Sequence, residues 1–235
     1  MAPPRESTKW ADAGTAAHSV GEQCLSTGRA PFEFYGQSIE VNGQTYKVDA
    51  EVVVAVSHYV SHVRAHEREL GPDVRRLVER RLWLDEIGNG GTVDCLLVAP
   101  RKIHVHDYKH GQGVYVGEAW NAQFLAYGVA GARANLPHLP IEQIEFTFAV
   151  HQPRFEGAKP CRTQTLPGDA VRGWLRDTLV PALEAGKDPN TPLRAGEHCR
   201  FCPAKTICVE YLSAPRKQFG YVPIKAEPVP SGFVF

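Results

Sequence analysis

From residue 76 to residue 108 the chain alternates apolar and polar positions in successive runs, the period-two signature of strands with one face turned inward. The alternation predicts strands over Arg76–Leu84, Gly91–Ala99 and Lys102–Tyr108. A helical period governs the stretch before them. Val52, Val56, Tyr59, Val60 and Val63 fall on one stripe of a helix that Asp49 is placed to cap and that runs to about Leu70, with Gly71 after it. Further upstream, Gly14-Thr15-Ala16-Ala17-His18 leads into a helix ending near Leu25, with Gly28 at its stop. Residues 31–46 hold two short β-like pieces around Gly43, and residues 1–13 are polar and expected to be loose. Downstream, Glu118 to about Asn135 reads as a helix and Ile141–Gln152 as a strand. Asp169–Ala185 reads as a helix with Trp174, Leu175, Leu179 and Leu183 as its stripe.

Strands and helices interleaved in this way predict an α/β fold, a central mixed sheet flanked by helices. Residues 1–185 form the core, and 186–213 hold a Pro/Gly-rich linker and a cysteine-bearing module. From Ala214 a Pro-rich tail, 214–235, is expected to be disordered. The chain has 235 residues, 43% hydrophobic and 22% charged, which suits one sizeable soluble domain with a small appendage. No apolar run approaches the roughly 18 residues of a transmembrane span, and the start lacks the apolar core of a secretory signal, so a cytoplasmic protein is expected. Lys and Arg number 26 against 26 Asp and Glu. With no global positive field, a nucleic-acid partner would need a local basic groove.

The chemistry concentrates at Asp107-Tyr108-Lys109, which closes the third predicted strand. Asp107 and Lys109 share a strand face, and Asp94 lies in the preceding strand. Were those strands neighbours, two carboxylates and an ammonium would meet, a set able to hold a divalent cation and orient a water against a phosphate. Acid-x-lysine is also an ordinary surface ion pair. Glu79, on the first predicted strand, either faces the same place or pairs with Arg80 or Arg81. His18 is a helix histidine that packs or ligates. Gln123 and Tyr127 lie four apart on one helix face, which either presents an amide and a phenol to a phosphate or is simply half-buried.

Cys199, Cys202 and Cys208 form C-x2-C-x5-C, while Cys24, Cys95 and Cys161 are scattered. Clustered cysteines without an export signal suggest metal more than disulfides. An iron–sulfur centre, zinc with His198 as a partner, and unliganded thiols all remain open.

Taken in order, Gly14-Thr15-x-x-His18, Asp94, Asp107-x-Lys109, Gln123-x3-Tyr127 and C-x2-C-x5-C resemble the RecB-like branch of the PD-(D/E)XK nucleases over residues 10–212. The likeness is greatest to phage-encoded relatives of the iron–sulfur CRISPR adaptation exonucleases. It implies a restriction-endonuclease-like core and a metal-dependent deoxyribonuclease acting on DNA ends or single strands, the alternative being a nucleic-acid-binding or partner-recruiting protein of that fold with little or no cleavage activity. Phage or host recombination and repair proteins are then its expected partners. His18, Asp94 and Asp107, with the Tyr108 main-chain carbonyl, would ligate Mg2+ or Mn2+. Lys109 would position the attacking water, Glu79 would serve as an accessory acid, and Gln123 and Tyr127 would contact the nucleic acid. Cys199, Cys202 and Cys208 would hold a 4Fe–4S cluster stapling the end of the chain to its beginning. One departure stands out: the cysteine usually found before the Gly-Thr-x-x-His stretch is missing from residues 1–17, which leaves Cys24 as a substitute fourth ligand, a truncated start, or zinc in place of the cluster.

Overall fold

Strands β3 (Arg75–Leu84), β4 (Asn89–Ala99) and β5 (Lys102–Tyr108) follow β1 (Ser38–Val41) and β2 (Gln44–Lys47) and form an antiparallel meander. In the computed structural model, which describes residues 9–196, 198–199 and 202–214, β6 (Glu145–His151) then adds parallel to β5. Parallel neighbours require a crossover, and helix α3 (Ala122–Asn135) supplies it. Strand β7 (Cys161–Pro167) closes the sheet antiparallel to β6, giving the order β3-β4-β5-β6-β7. The protein is thus an α/β fold with a five-stranded mixed sheet flanked by helices. Among the described residues no helix is long and apolar enough to cross a membrane.

Two apolar layers cover the sheet. On one face α1 (Lys9–Thr27) and α2 (Ala50–Leu70) bury Val20, Cys24, Val56, Tyr59 and Val63 against Cys95, Leu97 and Tyr108. Asp49 caps α2 by accepting from Val52 N at 2.9 Å, as its placement before the apolar stripe predicts. On the other face α3 and α4 (Gly168–Trp174) bury Phe124, Leu125, Val129, Val171 and Trp174 against Leu96, Val98, Ile103, Val105, Phe146 and Phe148. Each fully buried side chain of this size contributes roughly 1.5–3 kcal/mol, so the two layers dominate the stability of the sheet. Helix α3 lies so close that a Cβ on Gly128 would stand 2.9 Å from a Phe148 ring carbon.

The alternation slips by one residue inside β3 and β4. Leu96 and Val98 pack in the α3 layer, yet so does Val93, which strict alternation would place opposite. On β3, Leu77 and Leu82 both join that layer while Val78 joins the α1–α2 layer. The slip falls at Glu79 and Asp94, which the register sets opposite each other between the Val78–Cys95 and Arg80–Val93 pairs. Glu79 has φ +45°, outside extended geometry, so the regular strand is broken where the two acids meet.

Several expected boundaries shift. Residues 9–13, expected to be loose, belong to α1. Residues 31–34 form a 3-10 turn, and the short hairpin after them turns through Asn42 and Gly43, both at positive φ, as a two-residue Asn-Gly turn demands. The third helix starts at Ala122 instead of Glu118, because Trp120 sits at φ +50° and Asn121 caps the helix. The strand expected from Ile141 starts at Glu145, after a 3-10 turn over Ile141–Gln143. Pro181 lacks an N–H, and the helix expected over Asp169–Ala185 is interrupted just before it by a π turn at Leu175–Leu179; it resumes as α5 (Val180–Lys187). Cys161 opens edge strand β7, which the sequence pattern does not predict because the polar Arg162, Thr163, Gln164 and Thr165 obscure any alternation.

The chain divides at Lys187 into two units, Ser7–Lys187, which holds the sheet, and a small one with the described residues from Asp188 onward. The latter is built from turns and the short helix α6 (Val209–Ser213). The expected tail from residue 215 lies outside the described residues.

Candidate active site

Strands β4 and β5 pair as far as Cys95 and His106, and the next pair in register would be Asp94 with Asp107. The backbone ladder stops there, and the Asp94 side chain continues it: Tyr108 N donates to Asp94 Oδ2 at 2.7 Å. From α1, His18 Nδ1 lies 3.5 Å from the same oxygen. The His18 ring also bonds to the Tyr108 backbone and meets the Tyr108 ring edge-on at 5.1 Å. From β3, Glu79 completes a triad in which one donor atom each of His18, Glu79 and Asp94 lies within 4.8 Å of the others. Three elements, α1, β3 and β4, therefore deliver ligand-type side chains to the place where the β4–β5 ladder ends.

Asp107 and Lys109 stand beside this triad. Lys109 Nζ donates to Asp107 Oδ1 at 2.9 Å and lies 2.8 Å from Oδ2, which accepts no well-directed hydrogen bond despite its burial. The Asp107 side chain is 5% exposed and that of Lys109 31%, so this pair is not one of the solvated surface pairs that contribute little. The Tyr108 backbone, whose carbonyl is expected among the metal ligands, lies near enough to His18 to oppose the lowering of its pKa.

The electrostatics are those of crowded acids out of water. Burial raises Asp94 to about 6, against the opposing Tyr108 N–H and Lys109. Burial likewise raises Asp107 to about 6, with Asp94 adding to the rise and Lys109 opposing it. Glu79 rises to about 7 through burial, then through Asp94 and Glu22. Burial alone would lower Lys109, but attraction to Asp107 and its hydrogen bond outweigh it, and the ammonium is held more firmly protonated than usual. His18 is lowered by burial and is neutral at pH 7, the form that ligates metal. A neutral imidazole and crowded, poorly solvated carboxylates suit a divalent cation, which would offset their mutual repulsion.

A family model described as a protein of unknown function, DUF2800, matches residues 2–220. The chain belongs to the DUF2800 family.

Gln123, exposed, and Tyr127, half-buried, sit in the first turns of α3 in this DUF2800 protein, with Gln123 Nε2 donating to Tyr127 Oη at 3.2 Å. Tyr127 lies across β4 at Gly91, where a Cβ would come within 2.6 Å of its hydroxyl. It lies near enough to Lys109 to couple to it electrostatically. The helix therefore brings the phenol toward Lys109, and Gly91 clears the space.

The DUF2800 cysteines divide by environment. Cys24 is fully buried in the α1–α2 layer, where burial pushes its thiol up to about 11. Cys95 is also fully buried there, on the opposite face from Leu96. Burial raises Cys161 to about 11. In the small unit Cys202 N donates to Cys199 O at 3.1 Å, and Gly196 N lies 3.4 Å from Cys199 Sγ. Among the described residues, the sulfurs of Cys199, Cys202 and Cys208 do not gather within 4.8 Å, so these three alone form no compact single-ion site.

Two features of the DUF2800 fold escape a reading of motifs in order. Glu22, one helical turn after His18, loads additional negative charge on Glu79, and that i, i+4 spacing is legible in the sequence. Histidines at 62, 66, 104, 106 and 151 form a connected set of rings beneath the sheet. Their signals are the helical spacing of His58, His62 and His66 and the strand spacing His104-x-His106.

Proposed function

We propose that this DUF2800 protein is a divalent-metal-dependent deoxyribonuclease that hydrolyses phosphodiester bonds at DNA ends or in single strands, in phage or bacterial recombination or repair. The observation that carries the reading is the clustering of His18, Glu79 and Asp94 from three elements, with the Asp107–Lys109 pair electrostatically coupled to it. A surface ion pair does not require the partly buried Asp94, a buried Asp107 or a histidine delivered from a helix. The order of motifs, similar to that of RecB-like nucleases, points the same way. A restriction-endonuclease-like core is the finer form of the mixed α/β sheet.

His18, Asp94 and Asp107 would hold Mg2+ or Mn2+, and the bound ion would polarise the phosphate and a water. Glu79 adds an accessory carboxylate. The residues' own contributions follow from their positions. Asp107 aligns the Lys109 ammonium through two short contacts. Lys109, held cationic, donates to the attacking water and to oxygens on which charge develops; it is unsuited to act as a base. Tyr108 N fixes the Asp94 carboxylate. Gln123 and Tyr127 offer an amide and a phenol to the phosphate backbone near the break. In the small unit, Cys199, Cys202 and Cys208 are assigned to a 4Fe–4S cluster. Anaerobic purification tests the cluster: a brown protein with a broad band near roughly 400 nm is expected, and a colourless one removes it.

The direct test is degradation of end-labelled linear and single-stranded DNA by the full chain with Mg2+ or Mn2+. Wild type should cut and Asp107→Ala should not. Equal cutting by the two would place the chemistry elsewhere.

A further inference from the structure

Beneath the sheet, on the face covered by α2, lies a second cluster of metal-ligand chemistry in which carboxylates take no part. His66 comes from α2, and His104 and His106 come from alternate positions of β5 and so share a strand face. One ring nitrogen from each lies within 4.8 Å of the other two. Ring centroids are 5.1 Å apart for His66–His106, 5.7 Å for His66–His104 and 6.3 Å for His104–His106. His106 is fully buried and the other two are half-buried.

Polar atoms withdrawn from water normally find partners, and a cluster of exceptions calls for an explanation. Here His66 Nδ1, His104 Nδ1 and His106 Nε2 are all buried and none has a hydrogen-bond partner. The second nitrogen of the buried ring is accounted for, because His106 Nδ1 lies 3.0 Å from His151 Nε2. With the proton on His106 Nδ1, this bond leaves a lone pair on Nε2, which is how outer-shell partners prepare a ligating histidine. Burial also keeps these imidazoles neutral: it lowers His66, lowers His104 to about 4 and holds His106 well below its ordinary value.

We propose that His66, His104 and His106 form a binding site for a zinc-class transition-metal ion, distinct from the acidic site around Asp94 and Asp107, in which the ion cross-links α2 to β5. Three neutral imidazoles with no carboxylate select a borderline ion such as Zn2+ or Co2+ over the hard Mg2+. Three protein nitrogens leave a fourth tetrahedral position for water. Because the ligands come from two elements far apart in sequence, the ion binds only the folded chain and stabilises it by mass action. The assignment does not depend on nuclease activity.

The test uses the full chain, stripped with chelator and then given zinc alone. At zinc about 100-fold above its Kd, wild type should gain roughly 5–10 °C in Tm, on the scale set for a chain of this size. Half-buried ligands can be replaced at moderate risk to the core, so His66→Gln/His104→Asn is the variant. It should lose one bound zinc per chain by elemental analysis and most of that Tm gain, whereas Asp94→Asn/Asp107→Asn should keep both. Retention of every zinc and the whole Tm shift by His66→Gln/His104→Asn overturns the site. Should that variant not fold, anomalous diffraction at the zinc edge from zinc-loaded wild-type crystals decides. A peak about 2.0–2.1 Å from the three nitrogens supports the site, and peaks found only elsewhere overturn it.

Discussion

The main-chain N–H of Tyr108 donates to Asp94 Oδ2 at 2.7 Å, so the backbone of one strand orients the carboxylate of the next. The bond stands where the β4–β5 ladder ends, at the step where Asp94 would otherwise pair with Asp107. One acid of the candidate site is thus held by the sheet itself, and its neighbour Asp107 by Lys109.

Asp94→Asn separates charge from geometry. The amide retains an oxygen that can accept from Tyr108 N, while the buried negative charge disappears. Because burial raises Asp94 to about 6, the metal-free variant should melt no lower than wild type at pH 8. Metal-dependent DNA cleavage should fall by about 10²-fold or more, the loss typical of removing one preorganised charge contact at the reacting centre. Calorimetry in chelator and a cleavage assay in Mn2+ check the two halves.

Lys109→Met should reduce turnover more than metal affinity. The ammonium is paired to Asp107 and is the strongest donor beside the acids, but it cannot ligate a cation. The expected loss in kcat is on the order of 10²–10³-fold, with Mn2+ titration by calorimetry weakened far less. A variant whose kcat is intact but whose metal binding is abolished would reverse the roles of Lys109 and Asp107.

How far the sequence discloses this site depends on which force places each residue. Asp107 and Lys109 are legible because strand alternation alone puts them on one face, and Asp94 because its run is also strand-like. Helix α2 is legible because its apolar stripe and the Asp49 cap agree. Glu79 is not legible, because its place depends on a positive φ and a one-residue slip that periodicity cannot reveal. Strand β7 hides because its exposed face is polar and its pairing is supplied by β6. The histidines under the sheet show strand and helix spacing on their own elements, but only the packing of α2 over β5 turns two separate patterns into one cluster.

The buried acids leave a pH signature in the metal-free protein. Asp107 has a folded value of about 6 against an ordinary 3.8, so between those values the folded chain keeps a proton that the unfolded chain has released. Stability from this group therefore falls as pH rises from about 4 to about 6 and is level above that. The buried histidines act oppositely: His104 and His110, each lowered to about 4 chiefly by burial, take away stability as pH falls below 6.5. The two trends mask each other in wild type. The stability of Asp107→Asn minus that of wild type, measured by urea unfolding in chelator, should increase across pH 4–6 and then stay constant. A difference that shrinks over that interval would show that Asp107 is favoured as the buried anion.

Gly91 offers a way to move Tyr127 without touching it. A Cβ at this position would come 2.6 Å from the Tyr127 hydroxyl and 2.9 Å from a ring carbon, so the phenol must swing away from β4 in Gly91→Ala. The displaced ring is half-buried, which leaves it room to move, and the stability cost should be near the low end of the roughly 1–3 kcal/mol typical of overpacking. The swing should break the 3.2 Å contact with Gln123 and move the phenol relative to Lys109. If Tyr127 grips the phosphate backbone, Gly91→Ala should raise KM for DNA severalfold while kcat at saturation and Mn2+ affinity hold. Tyr127→Phe, which keeps the ring and loses only the hydroxyl, should reproduce part of that rise with no cost in packing. Steady-state cleavage at varied DNA concentration distinguishes the outcomes: a fall in kcat with KM unchanged in both variants would assign Tyr127 to the chemical step instead of to DNA binding.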